Sequence, residues 1–401
     1  MIKVSTEHHI VTPKNNFILC GYVPGMIADG VYDNIIMSGL LLSINNKSIY
    51  MINIDLCMIS EMIREEIIKS LKNDLLNCEL LITATHNHTG PSVQGFEHFG
   101  ILDVEKEQTY REHLGKVALK MYQSLKTKQE ECVLNFGSTI IDGLYSSRIN
   151  ITKESDKSIK SIQFVNKNND VVAQILNIAV HSTILSNKFS KYSADLVGNI
   201  AKNLYKENGV YPLIHIGAAG DSSTRFYRIN SSENELKRVS KIITNEIQSI
   251  NHTKNLNIDN LLNKEINYQI NTIFDKNTIQ KSIKQITNLI SMTTDEVYLK
   301  LLQSKLFALK FKLKRGYINV NVISNIYKLG DITFITFPLE VDASLVKELY
   351  KENHIFLINY ANDYHGYIIN ADDFDNTYEG MSSIFEKNEA EKYISIIKKA
   401  L

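Results

Sequence analysis

Four polar constellations stand at the ends of apolar, strand-like runs. The first is Thr85-His86-Asn87-His88-Thr89-Gly90-Pro91, which follows Leu80-Leu81-Ile82-Thr83-Ala84. Side chains alternate faces along an extended chain, so His86 and His88 are expected to project the same way. Two imidazoles on one face can share a metal ion. A hydrolytic zinc site needs about three protein ligands and an open position for water. The second constellation is His181, closing Asn177-Ile178-Ala179-Val180-His181. Glu340 follows in Phe337-Pro338-Leu339-Glu340, and the fourth is tyrosine-rich: Tyr364-His365-Gly366-Tyr367, then Tyr378-Glu379-Gly380. Polar residues at strand ends can converge at one rim of a sheet, where α/β proteins bind ligands. Each also has a structural reading: histidines that bond nearby loops, a carboxylate at a helix start, half-buried packing tyrosines.

Strand-like and helix-like segments alternate for most of the length, which predicts an α/β fold of mixed sheets flanked by helices. Residues 35–43 and 48–55 read as a hairpin across Asn45-Asn46-Lys47. Ser60 is expected to cap a helix with the stripe Ile63, Ile67, Ile68 and Leu71. Residues 275–316 differ from the rest. Ile279, Ile283, Ile286 and Ile290 form one helical stripe, and Leu299, Leu302, Leu306, Leu309 and Leu313 form another. Thr293 and Glu296 fit a capping box between them, and Gly316 is a stop. This predicts a helical hairpin inserted in the fold, either packed on the sheet or projecting as a lid or dimer element. A homo-oligomer is one consequence of the last option.

The chain has 401 residues with 44 Lys+Arg and 44 Asp+Glu, so no overall basic excess points to nucleic acid or an anionic surface. Cys20, Cys57, Cys78 and Cys132 form no Cys-x-x-Cys. No apolar run approaches a signal-peptide core or a membrane span, which reads as a cytoplasmic protein with no integral membrane segment. No linker or repeat divides residues 1–401, so a single domain is expected.

The motifs resemble, in order, those of the catalytic domain of the neutral ceramidases, zinc amidases that cleave the N-acyl bond of ceramide. Ile52-Asn53-Ile54-Asp55-Leu56-Cys57-Met58-Ile59-Ser60 is similar to that family's second strand and the start of its helix. Thr85 to Pro91 is similar to its Thr-His-Thr-His-Ser-Gly-Pro. Ala179-Val180-His181, with Ser193 to Gly198 downstream, resembles the segment of its second histidine ligand. Pro338-Leu339-Glu340 resembles Pro-Gly-Glu, and Tyr378-Glu379-Gly380-Met381-Ser382-Ser383 resembles its C-terminal tyrosine segment. The resemblance implies a ceramidase-like catalytic domain and a zinc-dependent amidohydrolase working through metal-activated water. It makes His86, His181, Glu340 and Tyr367 the zinc ligands. It turns His88 toward the substrate carbonyl, makes Tyr378 a further donor, and sets Gly90 beside the substrate. Asp55 and Asp195 are expected to orient ligands or to serve as turn and cap residues.

Two departures bear on substrate. Where the family has Gly-Asp-Val-Ser-Pro-Asn, this chain has Gly220-Asp221-Ser222-Ser223-Thr224-Arg225. Ser223 matches the active-site serine by position, as nucleophile, hydrogen-bond donor or turn residue. Arg225 would suit an anionic group on a substrate. The chain also ends shortly after the tyrosine segment, so the family's C-terminal β-sandwich is expected to be absent. The substrate is then a small-molecule or lipid-like amide other than ceramide. The alternatives are a zinc esterase, lactonase or deacylase on a small anionic substrate, and a non-catalytic metal-containing binding protein.

Overall fold

A computed structural model describes residues 2–22, 25–95, 103–352 and 354–401. Two sheets dominate it. The larger runs in the order Leu213–Ile216, Val171–Ile178, Ser158–Asn166, Glu130–Ile140, Ile2–Ile10, Ile36–Ile44, Lys47–Ile54 and Cys78–Ala84, with Lys254–Asn255 also paired to Glu130–Ile140. The smaller holds Leu262–Ile273, Tyr317–Leu329, Ile332–Thr336 and Ile355–Ile358. Helices fill the crossovers, so the predicted α/β class of mixed sheets and helices is the observed one.

Within these two sheets three strand pairs are parallel: Lys47–Ile54 with Cys78–Ala84, Val171–Ile178 with Leu213–Ile216, and Ile332–Thr336 with Ile355–Ile358. A parallel pair needs a crossover, and a helix that crosses must bury an apolar stripe on the sheet. The first crossover carries helix Glu61–Leu71, which buries Ile63, Ile67 and Leu71. Ser60 stands at its N-cap, but the hydroxyl makes no capping bond. The second crossover carries helix Asp195–Asn208, which buries Leu196, Val197, Ile200 and Leu204 and stops at the left-handed Gly209.

Five of these six strands end at candidate site residues. His86 follows Cys78–Ala84, His181 follows Val171–Ile178, and Ser222-Ser223 follows Leu213–Ile216. Glu340 follows Ile332–Thr336, and Tyr360 to Tyr367 follow Ile355–Ile358. The last segment stitches the two sheets together. Asn359 N–H donates to Ile216 O at 2.8 Å, and Asn362 N–H donates to Ile82 O at 2.8 Å.

The hairpin over residues 275–316 is present as helices Lys276–Met292 and Glu296–Arg315. Ile279, Ile286, Leu302 and Leu309 form its buried seam. Its second helix is capped by Asp295 and not by Thr293: Asp295 Oδ1 accepts from Tyr298 N–H at 2.9 Å. The Glu296 side chain lies outside the described residues. Among the described residues no helix is long and apolar enough to cross a membrane.

Two buried aspartates hold the loops that follow the strands. Asp55 accepts from Ile36 N–H at 3.0 Å and from the Thr85 hydroxyl at 3.2 Å. Asp195 accepts from Ile184 N–H at 3.0 Å and Leu185 N–H at 3.2 Å, just past His181. Burial pushes each carboxyl up to about 7. Between the unfolded carboxyl value of about 4 and that of the fold, the native state binds the extra proton. Stability is therefore expected to fall as pH rises from about 4 to about 7 through these two groups. In Asp55→Asn, which keeps an acceptor and gains a donor where the protonated acid has one, urea unfolding across that range should show a flatter decline. A decline as steep as the wild type's would mean that Asp55 is ionised in the fold at pH 4.

Candidate metal centre

His86 and His88 do not sit on an extended strand as the sequence pattern predicts. The strand ends at Ala84, and His86 adopts a left-handed backbone with φ +56°. Left-handed backbone costs a non-glycine residue about 1–2 kcal/mol, so other contacts must hold it. They are visible. Thr85 N–H bonds Ile54 O and Asn87 N–H bonds Leu56 O, both at 3.0 Å. Tyr360, also left-handed, stacks on the His86 ring with centroids 4.0 Å apart and planes 9° apart. The rings of His86 and His88 still converge, with Nε2 atoms 3.1 Å apart. Gly21 closes the far side of His88. A Cβ there would meet the ring at 2.4 Å, and Gly21 itself has φ +98°.

Glu340 reaches the histidines from the other sheet. Its Oε2 lies 3.4 Å from His86 Nε2 and 3.3 Å from His181 Nε2, with all three side chains almost fully buried. The rings are oriented by the main chain. His86 Nδ1–H donates to Cys57 O at 2.8 Å, and His181 Nδ1–H donates to Ser222 O at 3.0 Å. A carbonyl only accepts, so each neutral ring carries its proton on Nδ1 and a lone pair on Nε2. Burial pushes His86 down to about 3 and lowers His181 as well. Burial alone would raise Glu340, but the adjoining His86 and His181 and the bond from Tyr364 outweigh it and hold the carboxyl well below its usual range.

At neutral pH, three lone-pair atoms thus face one another without a proton of their own between them. Such a set favours a cation beside it, and the Arg148 guanidinium, 3.1 Å from His181 Nε2, meets part of that demand. Ligand atoms about 2.0–2.1 Å from a tetrahedral zinc stand roughly 3.3–3.4 Å apart, which is the spacing of Glu340 Oε2 from each imidazole nitrogen here. The donor set therefore fits a divalent ion. Cys57, His86 and His88 form a second candidate group. It is the poorer one: Cys57 Sγ faces His86 Nδ1 at 3.9 Å, and that nitrogen is committed to Cys57 O.

The carboxylate is fixed by tyrosines. Tyr360 Oη donates to Glu340 Oε2 at 3.2 Å, and Tyr364 Oη donates to Oε1. Tyr367 lies directly across a two-residue parallel ladder from Glu340. Its hydroxyl accepts from Arg148 Nη2 at 3.1 Å, and its ring meets Tyr378 edge-on at 5.6 Å. The ladder requires close main-chain approach at Gly220, whose N–H donates to Val341 O at 2.9 Å. A Cβ there would meet Glu340 O at 2.7 Å.

Arg148 is a residue that sequence reasoning missed. Its guanidinium lies 3.1 Å from His181 Nε2 and donates to Glu379 at 2.6 Å, Gly220 O at 3.1 Å and Tyr367. The signal was faint: one arginine after Tyr145-Ser146-Ser147, in a segment with no periodicity. Ser146-Ser147 pairs with Ser222-Ser223, which brings Arg148 under the loop that holds His181. Lys153 ties the same loop down, 2.8 Å from Asp342, 2.6 Å from Asp373 and 3.9 Å from Asp221.

The other expected site residues fall into place around this cluster. Ser223 is buried, and its Oγ accepts from Arg225 N–H at 3.3 Å, a turn bond. Arg225 is exposed and within electrostatic reach of Arg148, Arg228 and Glu379. Tyr378 begins helix Tyr378–Ser382. Gly90 packs against the main chain of Asp55, where a Cβ would meet Asp55 O at 2.9 Å.

With 13% identity and a TM-score of 0.76, the chain superposes on a solved ceramidase complexed with C2, over all of its own length and 76% of that chain. The fold is that of a neutral ceramidase. A second solved structure, neutral ceramidase from Pseudomonas aeruginosa, matches with a TM-score of 0.74 and 13% identity, over 98% of this chain and 73% of that one. No protein-family profile and no curated protein sequence matches the chain. The ceramidase-like likeness is thus carried by shape and by the short motifs, not by overall identity.

Tyr364→Phe removes one hydrogen bond to Glu340 and no candidate ligand. Zinc affinity, measured by competition with a chelating dye, should fall about tenfold with the unfolding midpoint little changed. Unchanged affinity would show that Glu340 does not depend on that phenol.

Proposed function

We propose that the protein is a zinc-dependent hydrolase of N-acyl amides. The observation that carries the reading is that Glu340 Oε2 lies 3.4 Å from His86 Nε2 and 3.3 Å from His181 Nε2, with all three atoms within 4.8 Å of one another and both rings having their other nitrogen bound to main chain. The ceramidase-like fold supports this reaction class, since the solved neighbours are ceramidases. His86, His181 and Glu340 hold the ion, with Tyr367 as a fourth, weaker ligand. Zinc bound there supplies a Lewis acid for the scissile carbonyl and lowers the pKa of water to about 7.

The chain's own groups supply the rest. Glu340 remains ionised and is held in one rotamer by Tyr360 and Tyr364. His88 is buried, and its Nδ1 has no hydrogen-bond partner. Burial and the neighbouring His86 keep it neutral, so it carries one N–H that can be directed at a substrate oxygen. Arg148 brings fixed positive charge beside His181, where negative charge develops on the acyl oxygen, and Glu379 balances that charge before substrate arrives. Ser223 and Tyr378 contribute hydroxyls to the substrate.

One observation favours a different substrate charge. Arg225 and Arg148 lie near each other, so an anionic acyl or amine group would be drawn to this side of the site. An esterase or deacylase acting on a small anionic substrate is the second reading.

The test is elemental analysis of untagged protein together with hydrolysis of paired N-acyl amides and esters. We expect about one zinc per chain, lost along with turnover in His181→Ala. Ser223→Ala should keep the zinc and lose about 10²-fold or more in kcat. Full turnover by a zinc-free His181→Ala protein would contradict the proposal. Faster cleavage of anionic esters than of any amide would favour the second reading.

A further inference from the structure

The helical hairpin has a charge that the neutral composition conceals. Between residues 276 and 315 there are nine Lys or Arg residues and two acids, Asp295 and Glu296, both at the turn between the helices. From residue 297 to residue 330 no acid occurs at all. Five of the nine basic residues, Lys276, Lys310, Lys312, Lys314 and Arg315, lie towards the end of the hairpin remote from its turn. There the chain enters from strand Leu262–Ile273 and leaves into Tyr317–Leu329.

That end also exposes apolar surface. Ile273 is 85% exposed and Tyr317 is 64% exposed, and they are directly opposed partners across the two strands. Lys276, Lys314 and Arg315 line a groove of about 630 Å³ with them. All three of these cations are exposed. Asp275 is the nearby acid, and its carboxylate is used to cap its own helix, accepting from Asn277 N–H at 3.0 Å. A polar protein surface has no use for a largely exposed Ile–Tyr pair ringed by cations. A water–lipid boundary does: the apolar pair enters the acyl region and the cations meet anionic headgroups.

The hairpin that carries the patch touches the C-terminal segment of the candidate centre. The second hairpin helix packs on helix Tyr378–Ser382, and Lys305 donates to Asn376 O at 2.9 Å. Arg315 acts electrostatically on His365, the neighbour of Tyr364.

We propose that Ile273, Tyr317, Lys276, Lys314 and Arg315 form a peripheral docking patch for a bilayer surface bearing anionic headgroups. The proposal stands whether or not the centre is a zinc hydrolase, because it is read out by binding alone. Nucleic acid is the other polyanion to consider, and the exposed Ile273–Tyr317 pair argues against it.

The experiment is co-sedimentation of the full chain with phosphatidylcholine vesicles, with and without phosphatidylserine, at low and high salt. Binding should require phosphatidylserine and weaken with salt. Lys276→Gln with Arg315→Gln should weaken it about fivefold per residue removed, and Ile273→Ser with Tyr317→Ser by about tenfold or more. All four positions are exposed, so these variants should keep the wild-type unfolding midpoint. Lys116→Gln with Lys120→Gln, two exposed positions on helix Val104–Thr127, should leave binding unchanged. Equal sedimentation with both vesicle types, or an equal loss in the Lys116/Lys120 variant, would overturn the proposal. So would binding to a duplex oligonucleotide that survives Ile273→Ser with Tyr317→Ser while vesicle binding is absent.

Discussion

A buried carboxylate facing two buried imidazole lone pairs is the arrangement on which the rest of the structure depends. Each of these groups loses hydration on burial, and an unpaired buried charge costs several kcal/mol. The fold compensates part of that cost with Tyr360, Tyr364 and Arg148. It does so without placing a proton between the three atoms, an arrangement that is compatible with a bound metal ion. Much of the local structure makes sense as a consequence of that demand: the strained backbone of His86, the stacked Tyr360, and the main-chain carbonyls of Cys57 and Ser222 that fix both tautomers.

The architecture meets the demand by using strand ends from two sheets. A parallel strand delivers its C-terminal residue to the same rim as its neighbour. His86 and His181 arrive from strands far apart in the order of the larger sheet, each with a parallel neighbour, and Glu340 arrives from the smaller sheet. Residues 359–362 lock the rims together by main-chain bonds to Ile216 and Ile82. Asp55, Asp195 and Lys153 then anchor the loops against the strands. None of these three is a candidate ligand; each fixes where a ligand-bearing loop can go.

The centre was legible in the sequence to the extent that it follows from strand ends. His86, His181 and Glu340 each close an apolar run, and the structure gathers all three. The pleat argument for His86 and His88 reached the right outcome for the wrong reason, because the two rings converge through a left-handed residue beyond the strand. The hairpin was legible because its Ile and Leu stripes keep a helical period over two long helices. Arg148 was not, since it follows a two-residue strand whose partner among the described residues lies some 75 positions away in sequence. The Thr293 cap failed for a similar reason: Asp295 is an equally good cap, and only the packed geometry selects it.

The most direct test is zinc K-edge X-ray absorption on the purified protein loaded with one equivalent of zinc. The account predicts only nitrogen and oxygen neighbours at about 2.0–2.1 Å, two of them imidazoles. A sulfur neighbour at about 2.3 Å would place the ion on Cys57 and contradict the assignment to His86, His181 and Glu340.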